Sequence, residues 1–350
     1  MGARIICAVS LICLPGLVCA QTGQISGPVT GYTFDTAARG LRPILGMPGA
    51  SLLGDPLNFG FDVASAAVAP RQDAAFVTAA DQTFHLFRIQ SGVPAELALN
   101  GITATPERIV FSPSGSAAAL YANGSIQIVN GLPDAPAIYA TMAQALGSSD
   151  SVALSDDGAI LLLASGNTVE RFAGAADWGK VADTAGPALV AFAPTSYDAA
   201  VVDRAGAGIV LYRNLTDVPA AQPLAASDDA VSTASAVAFR ANGRQLLLAS
   251  ASGQSVTVFD VAAGSRNAIA CSCAPSRLAA MGNVFLLNDL DSAPLWLLDA
   301  STDNPTVKFV PAAVTAPVRG RPARIGTPPR GLHPVPQAGG AAPAGIARTE

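Results

Sequence analysis

Histidine, the side chain most often used for acid–base and metal chemistry near neutral pH, occurs twice in 350 residues, at His85 and His333. Two imidazoles exclude a three-histidine metal centre, and a Ser-His-Asp arrangement within the folded body would have to use His85. Neither a G-x-S-x-G elbow nor an H-E-x-x-H pair is present. We therefore read His85 as a structural or exposed strand residue. Carboxylates are the remaining source of chemistry: Asp156-Asp157, Asp228-Asp229, and Asp289 with Asp291. None of these pairs falls in the D-x-[DN]-x-[DN]-G loop that specifies calcium, and each fits a turn or a strand end. No cofactor is expected, and calcium on loop carboxylates is the one ion the composition would suit. Residues 174–181, GAADWGKV, match the glycine and lysine spacing of a phosphate-binding loop. Val181 stands where Ser or Thr would hold magnesium, so the segment reads as a loop between repeat units.

Five cysteines are present, of which Cys7, Cys13 and Cys19 fall in the first twenty residues. Cys271 and Cys273 remain, spaced C-x-C, and read either as two small buried thiols or as a strained disulfide formed in an oxidising compartment. They have no further Cys or His neighbours to make a metal site. Asn123-Gly124-Ser125 and Asn214-Leu215-Thr216 match the glycosylation pattern, although Asn123 also suits a hairpin turn. Two tryptophans are too few for an aromatic binding platform.

The elements that must carry these residues follow from one repeated stretch. Residues 236–264 read AVAFRANGRQLLLASASGQSVTVFDVAAG. Three short apolar runs are separated by Asn242-Gly243 and Ser252-Gly253, a pattern of strands joined by tight turns. The pattern recurs at residues 109–130, 152–172 and 189–212, and more weakly at 67–89 and 278–299. Anchoring the first turn at Pro70, Pro113, Asp156, Pro194, Ala241 and Gly282 gives spacings of 43, 43, 38, 47 and 41 residues. That period fits a propeller blade, with room in each unit for a fourth, outer strand such as 137–140 or 306–310.

The rest of the chain frames these repeats. Residues 1–20 form a leader: Arg4, an apolar stretch, then Val18-Cys19-Ala20, with cleavage expected before Gln21 and lipid attachment at Cys19 as the alternative. Residues 21–310 form the body. Its part 21–53 is an N-terminal hairpin, the remnant of a seventh blade or a closing strap, in which 32–35 matches a third strand and 41–45 an outer one. Its part 54–310 holds the six repeats. Residues 311–350 contain eight prolines and read as a disordered Pro/Ala/Gly-rich tail. The body carries 14 Lys and Arg against 24 Asp and Glu, a net charge of −10, while the tail carries five Arg and one Glu, a net +4. An acidic body argues against nucleic acid as a partner. After the leader no apolar run is long enough to span a membrane.

On these residues the repeats resemble a known group. LLLASASGQSVTVFDVAAG, residues 246–264, is similar to the YVTN-type repeat of exported bacterial β-propellers. VFSPSGSAAALYANGSIQIV is similar to the WD40-like, TolB-type unit, with Phe111 to Gly115 in place of F-S-P-D-G. The resemblance spans residues 27 to 310 and implies an all-β propeller of six to seven four-stranded blades. Its hosts include lactonases, quinoproteins and binding partners in the periplasm, and no catalytic positions carry over to this chain. The expectation is an exported, periplasmic or extracellular, monomeric module that binds or scaffolds a protein or cell-envelope partner. The alternative is a lactonase-like hydrolase or quinone-cofactor dehydrogenase that works through loop carboxylates and a bound ion.

Overall fold

The computed structural model describes residues 27–311, apart from 175, 292 and 293 and the side chains of 176–178. The leader with its cleavage site and Cys19, the tail beyond residue 311 and His333 lie outside the described residues.

Among the described residues the chain is almost entirely strand. Blade I comprises β1 (Val29–Asp35), β2 (Gly40–Met47) and β3 (Ala50–Leu53). Blade II comprises β4 (Val63–Val68), β5 (Ala74–Ala79), β6 (Phe84–Gln90) and β7 (Val93–Leu97). Blade III holds β8 (Arg108–Phe111), β9 (Ala118–Ala122), β10 (Ser125–Asn130) and β11 (Ala137–Ala143). Blade IV holds β12 (Ser151–Leu154), β13 (Ile160–Ser165), β14 (Thr168–Ala173) and β15 (Ala176–Asp183). Blade V holds β16 (Ala188–Phe192), β17 (Ala199–Asp203), β18 (Gly208–Arg213) and β19 (Ala220–Ala225). After a helical turn, α1 (Asp229–Ser232), blade VI follows: β20 (Ala236–Phe239), β21 (Gln245–Ser250), β22 (Ser255–Asp260) and β23 (Arg266–Ala270). Blade VII comprises β24 (Ala279–Met281), β25 (Val284–Leu286), β26 (Leu295–Asp299) and β27 (Thr306–Val310). Each sheet is an antiparallel meander in sequence order.

The second strand of a blade explains the stacking. β5 is buried at all six positions, and β13 and β21 at five of six. A strand buried on both faces needs apolar residues throughout, which is why ILLLAS and QLLLAS show no alternation. Outer strands such as β11 alternate instead between exposed and covered positions. The cover comes from the neighbouring blades. Seven buried clusters lie between successive sheets, II/III through VI/VII, with VII/I and I/II completing the ring. The first turn also repeats: the N–H of Gly115, Gly158 and Gly243 donates to the carbonyl three residues earlier at 2.9 Å.

The N-terminal segment is more than a hairpin. Gly46 and Gly49, with φ of +98° and +90°, turn the chain once more after β2, so that β3 and not β2 is the outermost strand. β1 takes an inner place rather than a third one, and the count among the described residues is seven blades, six of four strands and one of three. β1 also runs against the first strands of its neighbours. Its start lies where theirs end: Gly31 abuts Met281, and the Tyr32 N–H donates to Gln72 Oε1 at 2.7 Å. Its end lies where β24 begins: Asp35 pairs with Leu290, beside Arg277 and Asp289. Blade I closes the ring by packing, Ile44 and Leu53 against blade VII and Tyr32 and Leu41 against blade II.

Asp35 anchors this blade. It accepts from the Ala37 and Ala38 N–H groups and pairs with Arg42 at 2.9 Å, while Arg42 Nε donates to the Gly54 carbonyl. Burial alone would raise the Asp35 carboxyl, but the Ala38 N–H, Arg42 and the Ala37 N–H together hold it below the usual range. A depressed carboxyl stabilises the fold above its unfolded pKa of about 3.9, and that contribution disappears as pH falls through the folded value. Asp35→Ala is expected to cost about 3 kcal/mol in urea unfolding at neutral pH, since it strands a buried guanidinium. The gap between wild type and variant should narrow progressively below about pH 4.

Candidate functional site

The first strands of the blades surround a central channel with a cavity of about 750 Å³. That volume is in the range of small-molecule sites. Its wall follows from the repeat. One layer is small, with Ala67, Ala153, Ala191, Ala238 and Ala279 contributed by five blades. The next layer toward the first turns is larger, with Phe111, Phe192 and Phe239. Small side chains at the innermost strand let seven sheets converge, which leaves little room for functional groups.

Polar groups in the channel are few. Thr33, Ser65, Ser112 and Gln72 line it. The charged groups are Arg277, Asp289 and Asp291, at the end where the first strands begin. All three come from blade VII, and Arg277 is ion-paired with Asp289.

The other carboxylates have structural partners. Asp156 accepts from the Ser114 N–H at 2.6 Å and the Thr195 N–H at 2.7 Å, so one carboxylate ties the turns of blades III, IV and V. Asp157 accepts from Ser155, Tyr197 and the Ala159 N–H. Burial would raise its pKa, and those hydrogen bonds outweigh it and lower it, while the bond to Asp157 raises the Tyr197 phenol. Asp228 caps α1 through the Ala230 N–H and pairs with Arg266. Asp229 lies in the first turn of the same helix. Among the described residues no group of three or more His, Cys, Asp or Glu side chains is placed to hold a metal ion.

His85 lies in β6 and does not line the channel. Nδ1 lies 2.7 Å from Glu96 and Nε2 2.8 Å from Thr83 Oγ1, and the ring stacks on Phe61. The set has the outline of a hydroxyl–imidazole–carboxylate relay, but Asp81 also takes the Thr83 hydroxyl at 2.6 Å and the group lies on an open blade face. The near phosphate loop is not an interblade loop as expected. Gly174 turns the chain, and residues 176–183 form β15, because pairing with β14 continues the meander outward. Cys271 and Cys273 lie in the loop after β23, not in a strand. Both are buried among Leu247, Phe285 and Leu298, with Cα atoms 5.0 Å apart and their sulfurs joined.

Sequence reasoning missed Arg240. It is 6% exposed and donates to the carbonyls of Ala300 and Thr302, locking blade VI to blade VII. An arginine directly after an inner strand, where blades II to V have Ser or Ala, was the available signal.

No protein-family model matches the chain, and no curated protein sequence does. Solved structures match the fold. A functionally unknown protein from Desulfotomaculum acetoxidans aligns with a TM-score of 0.52 at 14% identity, over 80% of this chain and 99% of its own. A protein provisionally named a 6-phosphogluconolactonase from Bacteroides fragilis aligns at 0.52 and 15% identity, over 81% and 97%. One of the same description from Bacteroides uniformis aligns at 0.54 and 12%, over 80% and 95%. At these identities the likeness is to the propeller fold alone.

Asp156→Ala should lower the unfolding free energy by about 1–3 kcal/mol, because two turn N–H groups lose their acceptor. Urea denaturation checks this, and Asp156→Asn, which keeps one acceptor oxygen, should recover part of the loss.

Proposed function

We propose that this chain is an exported propeller of the YVTN or TolB-like type that acts as a monomeric binding or scaffold module on a protein partner in the cell envelope. The leader pattern of residues 1–20 supports export. Among the described residues no helix is long and apolar enough to cross a membrane. The observation that carries a protein-binding role is the outer edge of blades I and VII. There β3 and β27 run beside each other, and Leu52 is 63% and Phe309 56% exposed, with Met47 67% exposed at the end of β2. Large apolar side chains grouped on one flank mark a protein contact more than an enzyme rim. Calcium is no part of this reading.

The second reading is a lactone hydrolase. It is favoured by the fold shared with two proteins of that provisional name and by Arg277 at the mouth, a cation suited to a phosphorylated substrate.

Two measurements separate the readings. Photo-crosslinking in the producing cell should yield a discrete adduct with the wild-type chain that a Leu52→Ser, Phe309→Ser variant loses; the same adduct from both chains overturns the surface assignment. The purified protein should hydrolyse 6-phosphogluconolactone no faster than buffer, and its melting midpoint should be unchanged by calcium or EDTA, since a ligand confined to the folded state would raise it. Turnover abolished by Arg277→Ala would establish the second reading.

A further inference from the structure

Cys271 and Cys273 are joined across a single residue, with Cα atoms 5.0 Å apart, inside the ordinary range for a disulfide. A cross-link restrains the unfolded chain less the shorter the loop it closes, and this loop is about as short as one can be. Both cysteines lie in the same crossing from β23 to β24, so the bond ties no blade to another. As a staple of the whole ring it contributes little.

What it fixes is the path of that crossing. The Cys271 N–H donates to the Gln254 carbonyl at 2.8 Å, and among the described residues 272–274 make no hydrogen bond. Ser235 Oγ lies 2.8 Å from the Pro275 carbonyl, but it has one proton to share with the Ala249 carbonyl at 3.0 Å. The Ser276 and Arg277 N–H groups then both donate to the Leu287 carbonyl, at 2.9 and 3.2 Å. The Arg277 guanidinium, four positions after Cys273, pairs with Asp289 at the channel mouth. The disulfide is thus the covalent restraint on the segment that delivers Arg277.

The surroundings let the bond open without loss of the fold. Ser272, Ala274 and Ser276 are exposed while Cys271, Cys273 and Pro275 between them are buried. At 6% and 9% exposure the two cysteines are covered but not sealed, so an excursion of the crossing alone admits a small thiol. Reduced, they remain small side chains with little polarity, suited to the same cluster of Leu247, Phe285 and Leu298.

We propose that the Cys271–Cys273 disulfide is a redox-sensitive restraint that holds Arg277 at the channel mouth, and that a dithiol reductant releases it while the ring stays folded. The thiolate of the reductant attacks one sulfur, forming a mixed disulfide and expelling the other cysteine as a thiolate that takes up a proton. The second thiol of the reductant then displaces the remaining cysteine sulfur. The reductant leaves as a cyclic disulfide, and two electrons and two protons have passed to the cysteines. The loosened crossing lets the guanidinium leave Asp289, which opens both charges of the pair to a ligand at the mouth.

The test treats the folded chain with dithiothreitol. Alkylation without denaturant, followed by peptide mapping, should find Cys271 and Cys273 both labelled, and the melting midpoint should fall by no more than about 5 °C. Modification of Arg277 by phenylglyoxal should become severalfold faster on reduction. Arg244, exposed at the opposite end of blade VI, should react at an unchanged rate. A Cys271→Ser, Cys273→Ser chain should show the faster rate at Arg277 with or without the reductant. Labelling that appears only when the chain unfolds, a larger fall in the midpoint, or Arg277 and Arg244 speeding up together makes the bond a structural staple and overturns the proposal. An unchanged Arg277 rate after complete reduction overturns it as well.

Discussion

A four-stranded sheet with two apolar faces cannot stand alone in water, and everything else in this molecule follows from that. The second strand of blades II to VII is buried along nearly its whole length, so each of these sheets requires a neighbour on both sides. A linear stack would leave two faces bare. Closing the stack removes them, and the seven interblade clusters are the seven contacts a closed ring of seven sheets provides. Polar groups then serve the ring: Asp156 and Arg240 bond backbone groups of adjacent blades, where a buried polar atom without a partner would cost more than a hydrogen bond returns.

The same constraint limits chemistry. Innermost strands converge more closely where their inward residues are small, and five of the seven blades place an alanine in that layer of the channel. Function is then left to loops at the mouths and to the outer edges. Among the described residues the ionic groups at the charged mouth come from one blade, and Asp289 there pairs with Arg277. The outer edge is less constrained by packing, so the exposed Leu52 and Phe309 are not explained by the needs of the ring.

How much of this was legible in the sequence depended on how local the signal was. Turn residues such as Asn242-Gly243 and runs such as LLLAS are set within a dozen residues, so the blade period could be read directly. His85 in a strand and the turn role of Asp156-Asp157 were likewise local. Blade I was not legible in full. Whether 32–35 is a second or a third strand depends on chain direction relative to Met281 and Leu290, some 250 residues away, and no local pattern encodes it. The third strand was hidden by Pro48-Gly49, which reads equally well as the end of a hairpin or as a turn within one. At the mouth, Asp289 and Asp291 were visible as a pair, but the Arg277 that neutralises one of them was not, since β25 brings the two together only in the fold.

Ring closure is the point at which a repeat protein must depart from repetition. Six blades can each satisfy the next by the same contacts, but the last must meet a chain end. Here the meeting is made by packing and by one glutamine in a glycine's place, a left-handed backbone that a side chain accepts only when something holds it there. The Tyr32 N–H does so. Among the described residues blade I has three strands where its neighbours have four, so its contacts with blades VII and II are built from a smaller sheet than the other interfaces. Opening of the ring should therefore begin at blade I, whose β3 shares the exposed apolar edge with β27 of blade VII, so a change at that edge is felt first where the ring closes.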